Sequence, residues 1–318
     1  MLYAWFVSLS LKNIPGTNSS KKRFQRELSG LSNVCNQCTF HMNKVTTFKH
    51  YMNIWACVCV KLIVFTFIEE FMPQNEMTAM DKIMRANEYQ GKNKGSGFRE
   101  GDIAVSNKRG SRSCFARSCL WPKSVDGNVY IAYTLSPEYN DLDLMTIQEG
   151  MEAIENGTCI RFVPQTHQND YLDIQPKSGC WSYLGFHGGP QIVSLQAPEC
   201  VTTGVTSHEL MHALGFVHEQ SRADRDKYVT ILWGNIWKEH VQKFEKYKTN
   251  NLDTPYDYAS IMHFGKYAYS EDGDPTIIAK GNLGAQLGQR FAPSELDKFK
   301  INKLYKCANE IENKRDLF

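Results

Sequence analysis

The chain has 318 residues, of which 42% are hydrophobic and 22% charged, a composition typical of a globular protein. Its net charge is +2, but residues 1–50 carry seven Lys and Arg against one Glu, that is +6, which leaves −4 for residues 51–318. The part of the chain expected to fold is therefore slightly acidic. This excludes a basic nucleic-acid-binding surface as its main feature, and we expect no nucleic-acid partner.

Residues 1–71 are predicted to be a targeting region of uncertain extent. The most apolar run, 54–67 (IWACVCVKLIVFTF), follows basic residues like the core of a signal peptide, although it begins late in the chain. It is too short to span a bilayer comfortably, so we expect a secreted protein without a stable membrane anchor. A protein tethered by this run is the alternative. Cys35 and Cys38 have the spacing of half a zinc site, but no second half follows.

Residues 72–109 are polar and contain many Gly, Lys and Asn residues, which predicts a linker or pro-segment and not part of a core. Strand-like runs follow at 129–133, 159–163, 171–174 and 191–195, and apolar residues have helical spacing over 144–154. An amphipathic stretch at 237–244 and a helix over about 294–305 come later. Strands precede helices, which predicts an α+β domain of about 200 residues.

Six of the ten cysteines are spread through the rest of the chain without a C-x-x-C pair. Such cysteines indicate three disulfides and an oxidising compartment, the alternative being six reduced core thiols. Their spacing alone leaves fifteen pairings open. They are Cys114, Cys119, Cys159, Cys180, Cys200 and Cys307.

The segment HELMHALGFVHE, residues 208–219, sets three histidines and two glutamates among apolar helix formers. His208 and His212 are four residues apart, so they share one helix face and can bind one metal ion. Glu209 lies about a quarter-turn away, where it can act on a metal-bound water without binding the metal. His218 is out of phase, but a left-handed Gly215 can end the helix and let the chain bring His218 back as a third ligand.

Three histidine ligands leave a fourth position open, as in a catalytic zinc site. Zinc lowers the pKa of its water and polarises a carbonyl, while Glu209 would take the proton and pass it to the leaving amine. The predicted function is peptide-bond hydrolysis with one catalytic zinc ion. An amphipathic helix with solvated histidines, the plain alternative, does not account for the apolar residues around the polar set.

The stretch HELMHALGFVHEQSRADRD, residues 208–226, resembles the signature of the astacin family of metzincin proteases. A second stretch, SIMHF at 260–264, is similar to the family's Met-turn, and CLWPKS at 119–124 resembles the six-cysteine fish astacins, which include hatching enzymes. The match beyond the zinc ligands extends to Glu219, Arg222, Asp224 and Arg225.

This resemblance covers 114–307 and implies a zincin-like metzincin fold. We expect a catalytic domain over 110–308, with a twisted amino-terminal sheet, an active-site helix and a loop-rich carboxy-terminal subdomain, before a short tail at 309–318. Met262 would form a hydrophobic floor under the zinc. The resemblance also implies the disulfides Cys114–Cys119, Cys159–Cys307 and Cys180–Cys200, and an edge strand that binds substrate backbone through Gln191, Val193 and Ser194.

Family zymogens carry a pro-segment whose Gly-Asp carboxylate occupies the open zinc position. Asp102 in Glu100-Gly101-Asp102 matches that ligand, although Arg99 stands where the family has an aromatic residue. An activating protease would cut near Lys108 and Arg109, unless these are ordinary linker charges. Glu219 would then anchor the new amino-terminal region.

The family's Met-turn ends in a tyrosine whose hydroxyl stabilises the oxyanion, whereas this chain has Phe264. Losing one oxyanion donor lowers the rate by roughly 10²–10³. Candidates for a replacement hydroxyl are Tyr256, Tyr258, Tyr267 and Tyr269. We expect a secreted, zymogen-derived endopeptidase acting on protein substrates, with egg-envelope proteins suggested by the resemblance. The alternative is a weakened or inactive zinc- and peptide-binding protein.

Overall fold

In a computed structural model of the chain, the structure describes residues 78–88, 98–105, 119–281 and 284–307. All of them belong to one compact unit, Glu76–Phe318. The predictions for 1–71, for Lys108, Arg109 and Cys114, and for the tail 309–318 lie outside the described residues. Within the described ranges, no helix has the length and apolar character needed to cross a membrane.

The described residues form an α+β fold, as predicted. The helices are α1 (Ala79–Asn87), α2 (Asp141–Glu155), α3 (Thr203–Ala213) and α4 (Glu295–Tyr305). The strands are β1 (Phe98–Arg99), β2 (Ile103–Ala104), β3 (Val129–Leu135), β4 (Ile160–Pro164), β5 (Tyr171–Gln175), β6 (Cys180–Tyr183), β7 (Pro190–Leu195), β8 (Val229–Ile231) and β9 (Ile277–Ala279). Seven strands form one sheet in the order β1-β2-β6-β7-β5-β3-β4.

The parallel part of the sheet is β4, β3, β5 and β7, and β6 returns antiparallel beside β7. The buried side chains of these parallel strands, including Ile131, Leu172 and Val193, belong to the hydrophobic core. On the far side of β6, strand β2 pairs parallel, with Ile103 opposite Ser182. Of the strands formed by residues 119–281, β6 and β4 are therefore the two outer ones, and β2, which precedes these residues in the chain, covers β6.

The expectation that Gln191, Val193 and Ser194 lie on a substrate-binding edge strand was wrong. Strand β7 is hydrogen-bonded to β5 on one side and to β6 on the other, so neither side is free. Gln191 is buried and donates to the Gly185 carbonyl at 2.8 Å, and the Ser194 hydroxyl is likewise bonded internally. The outer strand next to the Asp102 segment is the four-residue β6, which is too short to stand out as a strand in the sequence.

Helix α2 packs across α3, the helix that carries His208 and His212. Asn140 begins α2 with a capping box shared with Asp143. The two helices approach closely at Gly150, where a β-carbon would lie 2.6 Å from the side chain of Thr206. The Ser207 hydroxyl donates to the Gly150 carbonyl at 2.9 Å, which fixes α3 against α2.

Helix α1 corrects the prediction that 72–109 contributes nothing to a core. Ala79, Met80 and Ile83 are at most 1% exposed and belong to the hydrophobic cluster of the domain. Thr78 and Asp81 form a capping box that starts the helix. Helix α1 contacts α3 and β6. Three apolar residues on one face suffice for this packing, although the polar composition of the wider stretch conceals them.

Two of the three expected disulfides are present, Cys159–Cys307 and Cys180–Cys200. The third, Cys114–Cys119, stays a prediction, because Cys114 lies outside the described residues; Cys119 itself is buried. The first bridge joins the start of β4 to the end of α4, and the second joins β6 to the loop before α3. Both therefore hold elements next to the histidine-rich helix.

The region between α3 and α4 is rich in loops, as predicted. It holds the β8–β9 pair and several 3₁₀ helices, and the amphipathic stretch at 237–244 becomes one of these, Lys238–Phe244. Helix α4 begins after Ser294, whose side chain accepts from the Asp297 backbone N–H. Residues of this region contact the histidines: the Ile261 carbonyl bonds to His208, and the Phe264 ring packs against His218.

Candidate active site

Helix α3 holds His208, Glu209 and His212, all of them fully buried. The helix ends at Ala213, and Gly215, two residues later, has a φ of +101° and donates its N–H to the His212 carbonyl at 2.8 Å. The chain then reverses and places His218 beside His208, with their Nε2 atoms 3.2 Å apart. The structure thus brings the three histidines together as the spacing predicted.

Two backbone carbonyls orient the histidine rings. His208 Nδ1 lies 2.9 Å from the Ile261 carbonyl oxygen, and His212 Nδ1 lies 2.7 Å from the Phe216 carbonyl oxygen. Because a carbonyl only accepts, each Nδ1 carries the proton, which leaves the Nε2 lone pairs free to bind a metal. The carbonyl partners therefore select the tautomer that a metal site requires.

Asp102 lies at the point where the three rings meet. Its Oδ2 is 2.9 Å from His208 Nε2, 3.2 Å from His218 Nε2 and 3.4 Å from His212 Nε2. Glu100, which was not among the predicted site residues, is also buried there, and its carboxylate accepts from both the backbone N–H and Nδ1 of His218. The sequence signal that could have identified Glu100 is an acidic residue two positions before Asp102.

Burial and charge shift the pKa values of these groups in different directions. Burial lowers the pKa of His208 to about 4. Burial alone would lower the pKa of His218, but the Asp102 and Glu100 carboxylates outweigh it and raise that pKa to about 10. For Asp102, burial opposes ionisation, yet His218 and His212 hold its pKa well below the usual range. A bound cation would replace the proton on His218, because a ligating nitrogen must be unprotonated.

These residues fit a zinc ion. Asp102 and the three histidines each offer a ligand atom, and these atoms lie within 4.8 Å of one another. His212 Nε2 is close to Asp102 but lacks hydrogen-bond geometry, and Asp102 Oδ1 is also without a partner in the described part of the chain. Unpaired buried polar atoms are unfavourable, and a cation at their centre would pair them. Histidine nitrogens with one carboxylate oxygen are ligands that suit zinc.

Glu209 is the remaining polar group beside this point. Both of its carboxylate oxygens are buried without hydrogen-bond partners among the described residues. Burial first, and then the charge of Asp102, raise its pKa well above the usual range. A carboxyl group with a raised pKa next to a metal site can accept and return a proton during a reaction.

The predicted Met-turn lies directly below the histidines. Met262 is 2% exposed, and its carbonyl accepts from the Glu219 N–H at 3.0 Å. The ring of Phe264 is fully buried, with its centroid 4.7 Å from that of His218. Phe264 therefore supplies a hydrophobic wall and no hydrogen-bond donor.

The charged residues after the histidine segment fix the position of the loops that carry the Met-turn. Arg222 pairs with both Glu219 and Asp224 and donates to the carbonyls of two loop residues. Arg225 donates to the Phe244 carbonyl at 2.9 Å. Glu219 also accepts from Lys300 at 2.7 Å. These buried ion pairs connect the histidine segment to the loops and to α4.

A sheet packed over a helix whose two histidines meet a third from the next loop is the architecture of a zinc metalloendopeptidase, and the chain is an enzyme of that class. The model of the Astacin family of peptidases matches residues 118–306, so the chain belongs to the astacin family.

Two curated relatives come from the fish Oryzias latipes. The chain is 43% identical to its low choriolytic enzyme over 210 residues, which cover 65% of this chain and 78% of that protein. It is 44% identical to its high choriolytic enzyme 1 over 209 residues, 65% of this chain and 77% of that protein. The solved structure of that hatching enzyme zinc-protease is 45% identical, with a TM-score of 0.59, and covers 61% of this chain and 98% of that chain.

Proposed function

We propose that the chain is a secreted zinc endopeptidase, made as a zymogen, in which Glu209 is the general base and His208, His212 and His218 are the zinc ligands. One observation carries the proposal: the Nε2 atoms of the three histidines meet at a buried point beside the unpaired Glu209 carboxylate. The zinc ion, when bound, supplies Lewis-acid polarisation of a carbonyl and a lowered water pKa.

In the reaction, Glu209 removes a proton from a water molecule as the water oxygen bonds to the peptide carbonyl carbon. The carbonyl electron pair moves onto its oxygen and forms an oxyanion. The pair then returns as the C–N bond breaks, and Glu209 passes its proton to the leaving nitrogen. The products are a carboxyl group and an amine, with no covalent intermediate on the protein.

The chain before the domain supports the zymogen proposal. Strand β2 covers the edge strand β6, and Asp102 fills the point between the histidines. An activating protease that cuts near Lys108 and Arg109 would release this segment. Glu219, proposed to anchor the new amino-terminal region, lines a cavity of about 400 Å³. Uncovered, β6 would bind the substrate backbone by strand addition.

The relatives guide the proposed substrate and location. The two fish relatives are named choriolytic enzymes, and one is described as a hatching enzyme. We propose that this chain also digests egg-envelope proteins after secretion. The two disulfides support an extracellular location, because such bonds persist in oxidising compartments.

Zinc content and peptide hydrolysis of the full chain, before and after limited trypsin cleavage, test the proposal. We expect one zinc per chain, hydrolysis that appears after cleavage, and no hydrolysis by Glu209→Gln, which should still bind zinc. The second candidate, a zinc- and peptide-binding protein with little or no activity, is favoured by Phe264. Full zinc occupancy with hydrolysis no faster than that of Glu209→Gln would establish the second candidate instead.

A further inference from the structure

Peptide hydrolysis places negative charge on the carbonyl oxygen, and enzymes stabilise that oxygen with positioned hydrogen-bond donors. Phe264, in the Met-turn, packs against the His218 ring and has no hydrogen-bond donor on its side chain. A donor from the protein must therefore come from a neighbouring element. Among the four tyrosines that the sequence offers as replacements, Tyr269 lies beside the segment that carries Asp102, on the loop after the Met-turn.

The hydroxyl of Tyr269 lies against the residue that precedes Asp102. A β-carbon built on Gly101 would overlap the Tyr269 hydroxyl oxygen, so these two groups are in contact. The Tyr269 ring packs on Phe264, with centroids 5.8 Å apart. Because Asp102 occupies the point between the histidines, the Tyr269 hydroxyl borders the place where a substrate peptide would react.

Lys243 holds the Tyr269 hydroxyl in position. Its Nζ donates to the Tyr269 oxygen at 3.3 Å and lies 4.5 Å from the centre of the ring. The same Nζ is 3.7 Å from the β-carbon position on Gly101. Since the lysine donates to the phenol oxygen, this contact leaves the phenol O–H available as a donor. Tyr269 itself has a left-handed backbone, with a φ of +53°, which its neighbours must stabilise.

The other candidate tyrosines point elsewhere. The Tyr256 hydroxyl is hydrogen-bonded to His263 Nε2 at 2.8 Å inside the core. The Tyr258 hydroxyl donates to the Tyr228 carbonyl at 2.9 Å. The Tyr267 side chain is 54% exposed, beneath Lys266.

We propose that Tyr269, positioned by Lys243, is a catalytic residue that donates its O–H to the carbonyl oxygen of the bond being cut. The hydrogen bond strengthens as the oxyanion forms and weakens as the carbonyl is restored, and the proton stays on Tyr269 throughout. This inference rests on the proposed function, and it explains how the chain hydrolyses peptides with a phenylalanine at position 264.

The test compares Tyr269→Phe with the parent, both as the trypsin-cleaved full chain. The substitution removes the hydroxyl and keeps the ring that packs on Phe264. We expect kcat to fall by about 10²-fold, the loss typical of one oxyanion donor, with zinc content unchanged and KM within about twofold. The matched control is Tyr267→Phe, which should keep the parent's kcat. Adding Phe264→Tyr to Tyr269→Phe should recover part of the loss.

A binding measurement separates this inference from the proposed function. A phosphinic peptide carries a tetrahedral anion like the transition state, and calorimetry measures its affinity without turnover. We expect Tyr269→Phe to bind it less tightly, while Tyr267→Phe binds as the parent does. If Glu209-dependent hydrolysis is present but Tyr269→Phe matches the parent in kcat and phosphinic-peptide affinity, the inference is overturned and the proposed function stands. If neither the parent nor any variant hydrolyses peptides, the proposed function fails. In that case, a phosphinic-peptide affinity of Tyr269→Phe equal to the parent's would overturn the inference as well.

Discussion

Asn87, the last residue of α1, hydrogen-bonds to both backbone groups of Cys180 in the edge strand β6. Its amide nitrogen donates to the Cys180 carbonyl at 2.6 Å, and its amide oxygen accepts from the Cys180 N–H at 2.9 Å. The same amide nitrogen donates to the Gly101 carbonyl at 3.0 Å. One side chain thus makes the pair of bonds that a neighbouring strand would make, and connects α1 to the loop that carries Asp102.

Replacing Asn87 with alanine should loosen the segment that is proposed to inhibit the enzyme. Three hydrogen bonds are lost, each with a net contribution of about 1 kcal/mol, so the uncleaved chain should hydrolyse peptide about 10²-fold faster than the parent. The measurement is residual hydrolysis before any protease treatment. Glu88→Ala, at the exposed neighbouring position, is the control and should leave the residual rate unchanged. A residual hydrolysis rate of Asn87→Ala equal to that of the parent would contradict the prediction.

Removal of zinc should both stop hydrolysis and weaken the fold. A ligand that binds only the folded state stabilises it, by about 3 kcal/mol at a concentration 100 times its Kd. Chelation should therefore lower the free energy of unfolding by at least about that amount, and added zinc should restore it. His212→Gln should show the same loss without a chelator, whereas the exposed His167→Gln should not. Equal unfolding curves with and without zinc would count against a buried metal.

The two disulfides should differ in their effect on stability. The Cys159–Cys307 bridge spans 148 residues and the Cys180–Cys200 bridge 20. In the chain-entropy description, closing these loops stabilises the fold by about 5 and about 3 kcal/mol respectively. Paired serine substitutions, followed by urea unfolding, measure each contribution. A larger loss from the short loop would show that native-state packing, and not chain entropy, dominates.

Asp297 at the start of α4 supports the loop below His208. Its carboxylate accepts from the Ile261 N–H at 2.9 Å and from the Ser260 hydroxyl at 2.6 Å. The Ile261 carbonyl in turn bonds to His208 Nδ1. Burial raises the pKa of Asp297 from its ordinary value of 3.8 to about 6, although Lys300 opposes the shift.

This raised pKa predicts how stability changes with pH. Between pH 4 and pH 6 the folded chain keeps the Asp297 proton that the unfolded chain releases, so ionisation favours unfolding. The free energy of unfolding, relative to that of Asp297→Asn, should fall by about 3 kcal/mol from pH 4 to pH 7. Urea unfolding of both chains across this range gives the difference. A difference that stays constant or grows with pH would refute the assignment of this titration to Asp297.

The parts of the site that depend on local geometry could be predicted from the sequence. Four-residue spacing on a helix places His208 beside His212, and a glycine in the left-handed region reverses the chain so that His218 joins them. Both relations follow from backbone conformation over a few residues, so they could be worked out without a structure. The signature around them also pointed to the family, and two disulfide pairings implied by that resemblance are present.

Contacts between distant parts of the chain became visible only in the folded structure. Strand order made β6 the edge, although β7 has the more strand-like sequence, because pairing depends on partners far along the chain. The burial of α1 against α3 also became visible only in the folded structure. The same holds for the contact between Tyr269 and Gly101, on which the proposal for Tyr269 rests. Each depends on contacts between segments separated by tens of residues, and no local pattern of spacing or composition encodes such contacts.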